Sequence, residues 1–284
     1  TIKLIDGEDL YNASIFVLSQ IHQTKNKKKL QMCCPALNLL TRCMCFFNAS
    51  DELIEKSSNE ILFFLNSSKF NNLKPFILSL ICEISYYQSE RSINSFSETM
   101  IQYINIIAQE KDIPPNNIEN VFGSLNNMVY KSDEFAIFLP TCSPLFRIEF
   151  DQTWSEKSLF HYFRLQDNVF LRMILCDRNE LNWKKSIENI RNNTDFIASN
   201  GMKYFDFFNF KTKKQFIEMI CHLYQLDDSE ILMRMKPYLK DLITLFVDHL
   251  DCNNLCLSFE IAKTLIFLYE KSSLNGESNE VLDI

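Results

Sequence analysis

The sequence predicts an all-α fold, and three observations carry that expectation. Apolar residues recur at helical spacing along nearly the whole chain, which is the i, i+3, i+4, i+7 pattern of a helix with one core-facing stripe. Only 4 of the 284 residues are glycine, so few positions can take the positive φ that tight β-hairpins need. The segments between periodic stretches, such as "NASD", "QSERS" and "LDCNN", are short and polar, as suits helices joined to antiparallel neighbours.

Taken in order, the periodicity places helices at 8–23, 30–47, 51–66, 73–88, 95–110, 115–131, 134–139, 156–176, 183–199, 211–226, 229–250 and 255–272. The lysine run at 25–29 falls between the first two and reads as a solvated loop. Pro35, Pro75 and Pro115 each stand where a helix is expected to begin. Proline suits a first helical turn, because its missing N–H would have no partner there. In 73–88 the residues Phe76, Ile77, Leu80, Ile81 and Ile84 form the buried stripe. From 134 to 210 the pattern blurs, because two prolines and an aromatic run interrupt "FAIFLPTCSPLFRIEFDQTW". Asp227 and Asp228 precede the helix at 229–250 as an N-terminal cap. Leu242, Leu245 and Phe246 mark the buried side of that helix. A polar tail follows at 273–284, leaving 1–272 as a single expected domain.

Internal similarity organises these helices. "LKPFILSLI" and "MKPYLKDLI" share a Lys-Pro pair, an aromatic, an aliphatic and a final Leu-Ile, with Pro75 and Pro237 162 residues apart. A quarter of that interval is about 40, the period of two- or three-helix repeats. Pro35 and Pro115 each lie 40 residues from Pro75. All four prolines are therefore expected to be repeated helix starts. Leu37, Leu40 and Met44 then correspond to Ile77, Leu80 and Ile84, and to Leu239, Leu242 and Phe246.

Composition bounds the function. Gly7, Gly123, Gly201 and Gly276 stand alone, so the Gly-rich phosphate loops and the GxSxG elbow are absent from the sequence. The net charge of −7 disfavours a general nucleic-acid binder, which needs a basic surface, and makes a basic peptide the more natural guest. Ten cysteines in a chain this large, several within apolar helical patterns, fit a reducing cytoplasmic or nuclear setting. No apolar run approaches the ~18 residues of a membrane span. His249, Cys252 and Cys256 come in close order, but zinc needs a fourth ligand, and core thiols beside a helix-end histidine are the better account. Cys33, Cys34, Cys43 and Cys45 scatter over different faces. The histidines His22, His161, His222 and His249 lack flanking residues that would orient them as bases. The expectation is no metal, no cofactor and no catalytic set.

A Pro-led helix, a loop and a longer helix, as in residues 236–271, resemble the second and third helices of an armadillo repeat. "FGSLNNMV" resembles that family's "ALxNL" third-helix motif, with Asn127 at the asparagine. The resemblance extends over about six degenerate repeats. It implies a right-handed α-solenoid of armadillo or HEAT type, whose third helices line a concave groove for an extended peptide. In importin-alpha-like members of the family a tryptophan one turn before the asparagine receives a lysine stem. In this sequence Gly123 lies four residues before Asn127, Phe122 lies four before Asn126, and Leu62 lies four before Asn66. Asn127, Asn126, Phe122 and Asn66 are thus the candidate peptide-binding residues, and the bland alternative is that these asparagines face water. The aromatic cluster "YFDFFNF" at 204–210 is either a buried plug between repeats or a docking patch. The expected function is a binding scaffold for a partner protein or basic peptide. Nuclear-import cargo binding and a helical regulatory subunit are the alternatives.

Overall fold

The computed structural model describes residues 7–22, 24, 31–87, 90–150, 153–250 and 254–274. Among these the regular secondary structure is entirely helical. The helices are α1 (Gly7–His22), α2 (Cys33–Phe46), α3 (Asp51–Asn66), α4 (Lys74–Tyr87), α5 (Glu90–Gln109), α6 (Pro115–Lys131), α7 (Asp133–Cys142), α8 (Glu156–Leu175), α9 (Leu181–Tyr204), α10 (Phe210–Gln225), α11 (Ser229–Asp248) and α12 (Leu255–Leu274). Short 3-10 turns lie at Ser68–Leu73, Leu145–Arg147 and Phe205–Phe207. The lysine run at 25–29 and the tail beyond 274 lie outside the described residues. No described helix is long and apolar enough to cross a membrane.

Local chemistry sets the helix starts. Pro115 opens α6, Pro75 is the second residue of α4, and Pro35 is the third of α2. Ser50, Ser155, Asn209 and Asp228 accept hydrogen bonds from Leu53, Ser158, Thr212 and Ile231 and so cap α3, α8, α10 and α11, each satisfying an N–H that the helix cannot. Two prolines depart from expectation. Pro237 is exposed midway along α11 and begins nothing, so the match of "MKPYLKDLI" to "LKPFILSLI" joins different parts of their helices. There the ring faces solvent and the helix forgoes one internal hydrogen bond. Pro140 is carried within α7 instead of ending it.

The chain divides into two compact units. The first comprises 1–103 and 112–132, and the second 104–111 and 133–284. In the first, α1 packs on α2, α2 on α4 and α4 on α6, while α3 covers α1, α2 and α4. Leu37, Leu40, Met44, Ile77, Leu80 and Ile84, the stripe read from the repeat, are all buried, each contributing about 1.5–3 kcal/mol. Three donors on α6 reach backbone carbonyls of α4. Asn120 donates to Pro75 O at 3.4 Å, Asn127 to Cys82 O at 3.1 Å, and Lys131 to Tyr86 O, every pair 45 residues apart. A constant offset means that α4 and α6 run in the same direction.

In the second unit α8, α10 and α12 pack successively, as do α7, α9 and α11, and α7 meets α8 while α11 meets α10 and α12. Ser186 and Asn189 on α9 donate to Ile137 O and Pro140 O on α7, again at one offset of 49 residues. The core is aromatic: Phe146 stacks on Phe170 at 5.4 Å, and Phe205 and Phe163 lie 5.7 and 5.4 Å from Phe216. The segment at 134–210 is therefore helical on either side of the turn that joins α7 to α8.

Candidate functional site

One concavity is built where two turns of the second unit meet. After α7 the chain passes through the 3-10 turn at Leu145–Arg147, and Tyr162 Oη donates to Leu145 O at 3.3 Å and Ile148 O at 3.2 Å. Asn200 Nδ2 donates to the same Ile148 carbonyl at 3.2 Å, and Arg147 Nε to Asn193 Oδ1 at 2.6 Å. These bonds hold a non-helical backbone whose polar groups would otherwise be buried unpaired. Opposite it, α9 ends at Tyr204, the Phe205–Phe207 turn follows, and Asn209 caps α10. Glu156, at the start of α8, ties the two sides together. Its Oε2 accepts from Asn209 N and Thr212 Oγ1, both at 3.2 Å.

Between them lies a cavity of about 290 Å³, lined by Phe150, Trp154, Leu159, Tyr204, Phe207 and Phe208 with Glu156 at its edge. The ring of Phe150 lies 5.2 Å from Tyr204 and 6.0 Å from both Trp154 and Phe208. The cluster at 204–210 therefore divides its roles. Phe205 and Phe208 are buried, whereas Phe207 is 70% exposed at the mouth. A concave, mostly aromatic site with one fixed carboxylate suits an apolar or aromatic side chain from a partner.

No protein-family model, curated protein or solved structure matches this chain.

The candidate peptide-binding residues Asn127, Asn126, Phe122 and Asn66 differ in their surroundings. Asn126 is buried, and its Nδ2 donates to Phe122 O one turn earlier at 3.0 Å. Phe122 is itself in the core. Asn127 Nδ2 is taken by Cys82 O and lies 3.5 Å from Ser85 Oγ. These three stand together on α6 within the first unit, while Asn66 is exposed at the end of α3. A second cavity of about 480 Å³ in that unit is lined by Asp51, Ile54, Glu55, Asn59, Asn94 and Ser95, an acidic setting that suits a basic group.

The histidines have partners that no sequence neighbour announces. His22 Nε2 lies 2.8 Å from Glu60, His249 Nε2 3.2 Å from Asp206, and His222 Nδ1 2.5 Å from Asp167. Asp167 is buried, and its other oxygen accepts from Gln215 Nε2 at 2.8 Å. Burial opposes charge on His222, but the hydrogen bond and charge of Asp167, reinforced by Glu218, prevail and hold its pKa above the usual value. Burial, only partly offset by Lys214, likewise raises Glu218. Lys214 lies 3.5 Å from Glu218 and 3.7 Å from Glu260, and Lys263 2.5 Å from Glu260. This network joins α8, α10 and α12 and holds adjacent helices together. Burial pushes the Cys33 and Cys45 thiols up to about 12 and about 11. Among the described residues no three His, Cys, Asp or Glu side chains converge to hold a metal ion. Cys252 lies outside them.

Proposed function

We propose that this chain is a protein-binding scaffold, a stack of helical hairpins of the armadillo or HEAT kind, whose cavity lined by Phe150, Trp154, Leu159, Tyr204, Phe207 and Phe208 receives an apolar anchor side chain of a partner. The observation that carries the reading is Phe207, a large aromatic left 70% exposed beside a cavity walled by Trp154 and Tyr204. An exposed aromatic at the rim of an aromatic concavity is the composition of a binding hot spot. The packing of alternate, co-directional helices within each unit supports the stacked-hairpin part. The acidic cavity at Asp51 and Glu55 supports a partner with basic residues.

Affinity capture with the intact chain and with its Phe207→Asp variant tests the reading. A partner protein enriched reproducibly by the first and at least about tenfold less by the second supports it, with peptides tiled over that partner locating the anchor. Equal enrichment by both, or capture that no peptide of the partner reproduces, overturns it.

A further inference from the structure

Helix α12 is apolar on two opposite sides, where a surface helix needs only one. Leu257, Ile261, Thr264 and Leu268 are buried on the side that packs against α10 and α11. On the other side Leu255, Phe259, Ala262, Ile266 and Tyr269 are all exposed, Leu255 to 74%, Phe259 to 66% and Ile266 to 60%. Their spacing of four, three, four and three is that of the knobs along a helix–helix seam. A contiguous outward apolar stripe of this kind marks an interface.

We propose that this stripe is the contact through which a second copy of the chain packs, across a two-fold axis beside Ala262. The argument is its symmetry. Read in either direction, the order is large, large, small, large, large. A two-fold axis at the centre therefore sets Leu255 opposite Tyr269 and Phe259 opposite Ile266 of the second copy. The two alanines at the crossing let the backbones approach closely. In an isologous interface residue i of one copy meets residue j of the other and j meets i, a pairing that this order of sizes accommodates. Lys263 flanks the crossing, but Glu260 Oε2 at 2.5 Å already neutralises it, so pairing does not set two bare cations together. A fully buried aromatic ring contributes about 150–250 Å². At 66% and 39% exposure, Phe259 and Tyr269 add roughly 200 Å² per copy, which with the aliphatic residues puts the contact at the small end of specific interfaces. A contact of this size suits a reversible dimer.

Sedimentation equilibrium of the full chain, from low micromolar to hundreds of micromolar, reads this directly. The expected result is a monomer–dimer equilibrium that weakens at least about tenfold in the Phe259→Glu/Ile266→Glu double variant and is unchanged in Lys240→Glu, an exposed control on α11. At concentrations where the parent chain is monomeric, all three proteins should melt at the same temperature, since the altered side chains face outward. Independently, Ala262→Cys in a Cys256→Ser background should give a disulfide between copies when glutathione disulfide oxidises the paired thiols, mapped to position 262 by mass spectrometry. A chain monomeric throughout, a dimer indifferent to the glutamates, or a cross-link that avoids position 262 overturns the proposal.

Discussion

Gly201 is the position at which one methyl group should matter most. It lies in α9, and a Cβ placed there would meet ring atoms of Phe216 at 2.0, 2.6 and 2.7 Å, where ordinary contact begins at 3.4 Å. The ring would have to retreat by roughly 1.4 Å. It has nowhere to go, because Phe216 is fully buried with Phe163 and Phe205 packed beside it. Overpacking of this kind costs about 1–3 kcal/mol, and so large an overlap belongs at the upper end. Replacing glycine within a helix returns about 1 kcal/mol through lower backbone entropy. Gly201→Ala should therefore destabilise the second unit by about 2 kcal/mol, read as a lower urea midpoint by far-UV circular dichroism. Phe216→Leu costs stability alone by leaving a cavity, but in the double variant it should recover part of the Gly201→Ala loss, giving a favourable coupling. A Gly201→Ala midpoint at or above that of the parent chain, or strictly additive losses, would refute the packing argument.

Two further expectations concern ionisation. Because the folded pKa of His222 lies above its unfolded value, its contribution is complete below about pH 6.5 and disappears as pH rises through the folded value. The raised Glu218 carboxyl acts in the same direction. The melting temperature should fall as pH rises above about 6.5 and fall less in His222→Gln; parallel profiles would contradict the assignment. Asp228 has the opposite sign. Burial works against its charge, but Arg191, which reaches it at 3.0 and 2.6 Å, and the Ile231 N–H prevail and lower its pKa. Its stabilisation is present above about pH 3.9 and lost as pH drops through the folded value. Asp228→Ala should cost about 2 kcal/mol, the sum of a cap and a two-pronged charged contact, and Asp228→Asn, which keeps the cap, should fall between; equal losses would show that only the charged contact matters, and no loss in Asp228→Asn that only the cap does.

The helices were legible because their signals are local. The spans expected for α3 and α6 coincide with those observed, since Ser50 and Pro115 fix their starts within one turn. Pro237 misled because a nine-residue likeness carries no information about where in a helix it falls, and an exposed mid-helix proline looks the same on paper as one that opens a helix. The three histidine–carboxylate pairs were invisible for a related reason. His222 and Asp167 are 55 residues apart, a separation set by how α10 lies on α8. The sequence offers a groove or solvent role for Asn127, and the structure adds a bond to Cys82 O. A polar side chain inside an apolar helical pattern can bond to a neighbouring helix's carbonyl, which keeps a second lone pair after making its own helical bond. The aromatic run at 204–210, read as either a plug or a docking patch, is split, with Phe205 and Phe208 buried and Phe207 exposed, a division that composition alone does not announce.

The equal offset of the three α6-to-α4 bonds bears on how this protein can change over evolutionary time. Inserting a single residue early in α6 would swing every later side chain through about 100° and strand Asn127 and Lys131 at one stroke. The connection from α4 to α6 contains α5, and its intervening turns can lengthen or shorten while the donors keep their acceptors. Insertions and deletions should thus collect in the joints, and α4 and α6 should keep their lengths in any descendant that keeps the fold.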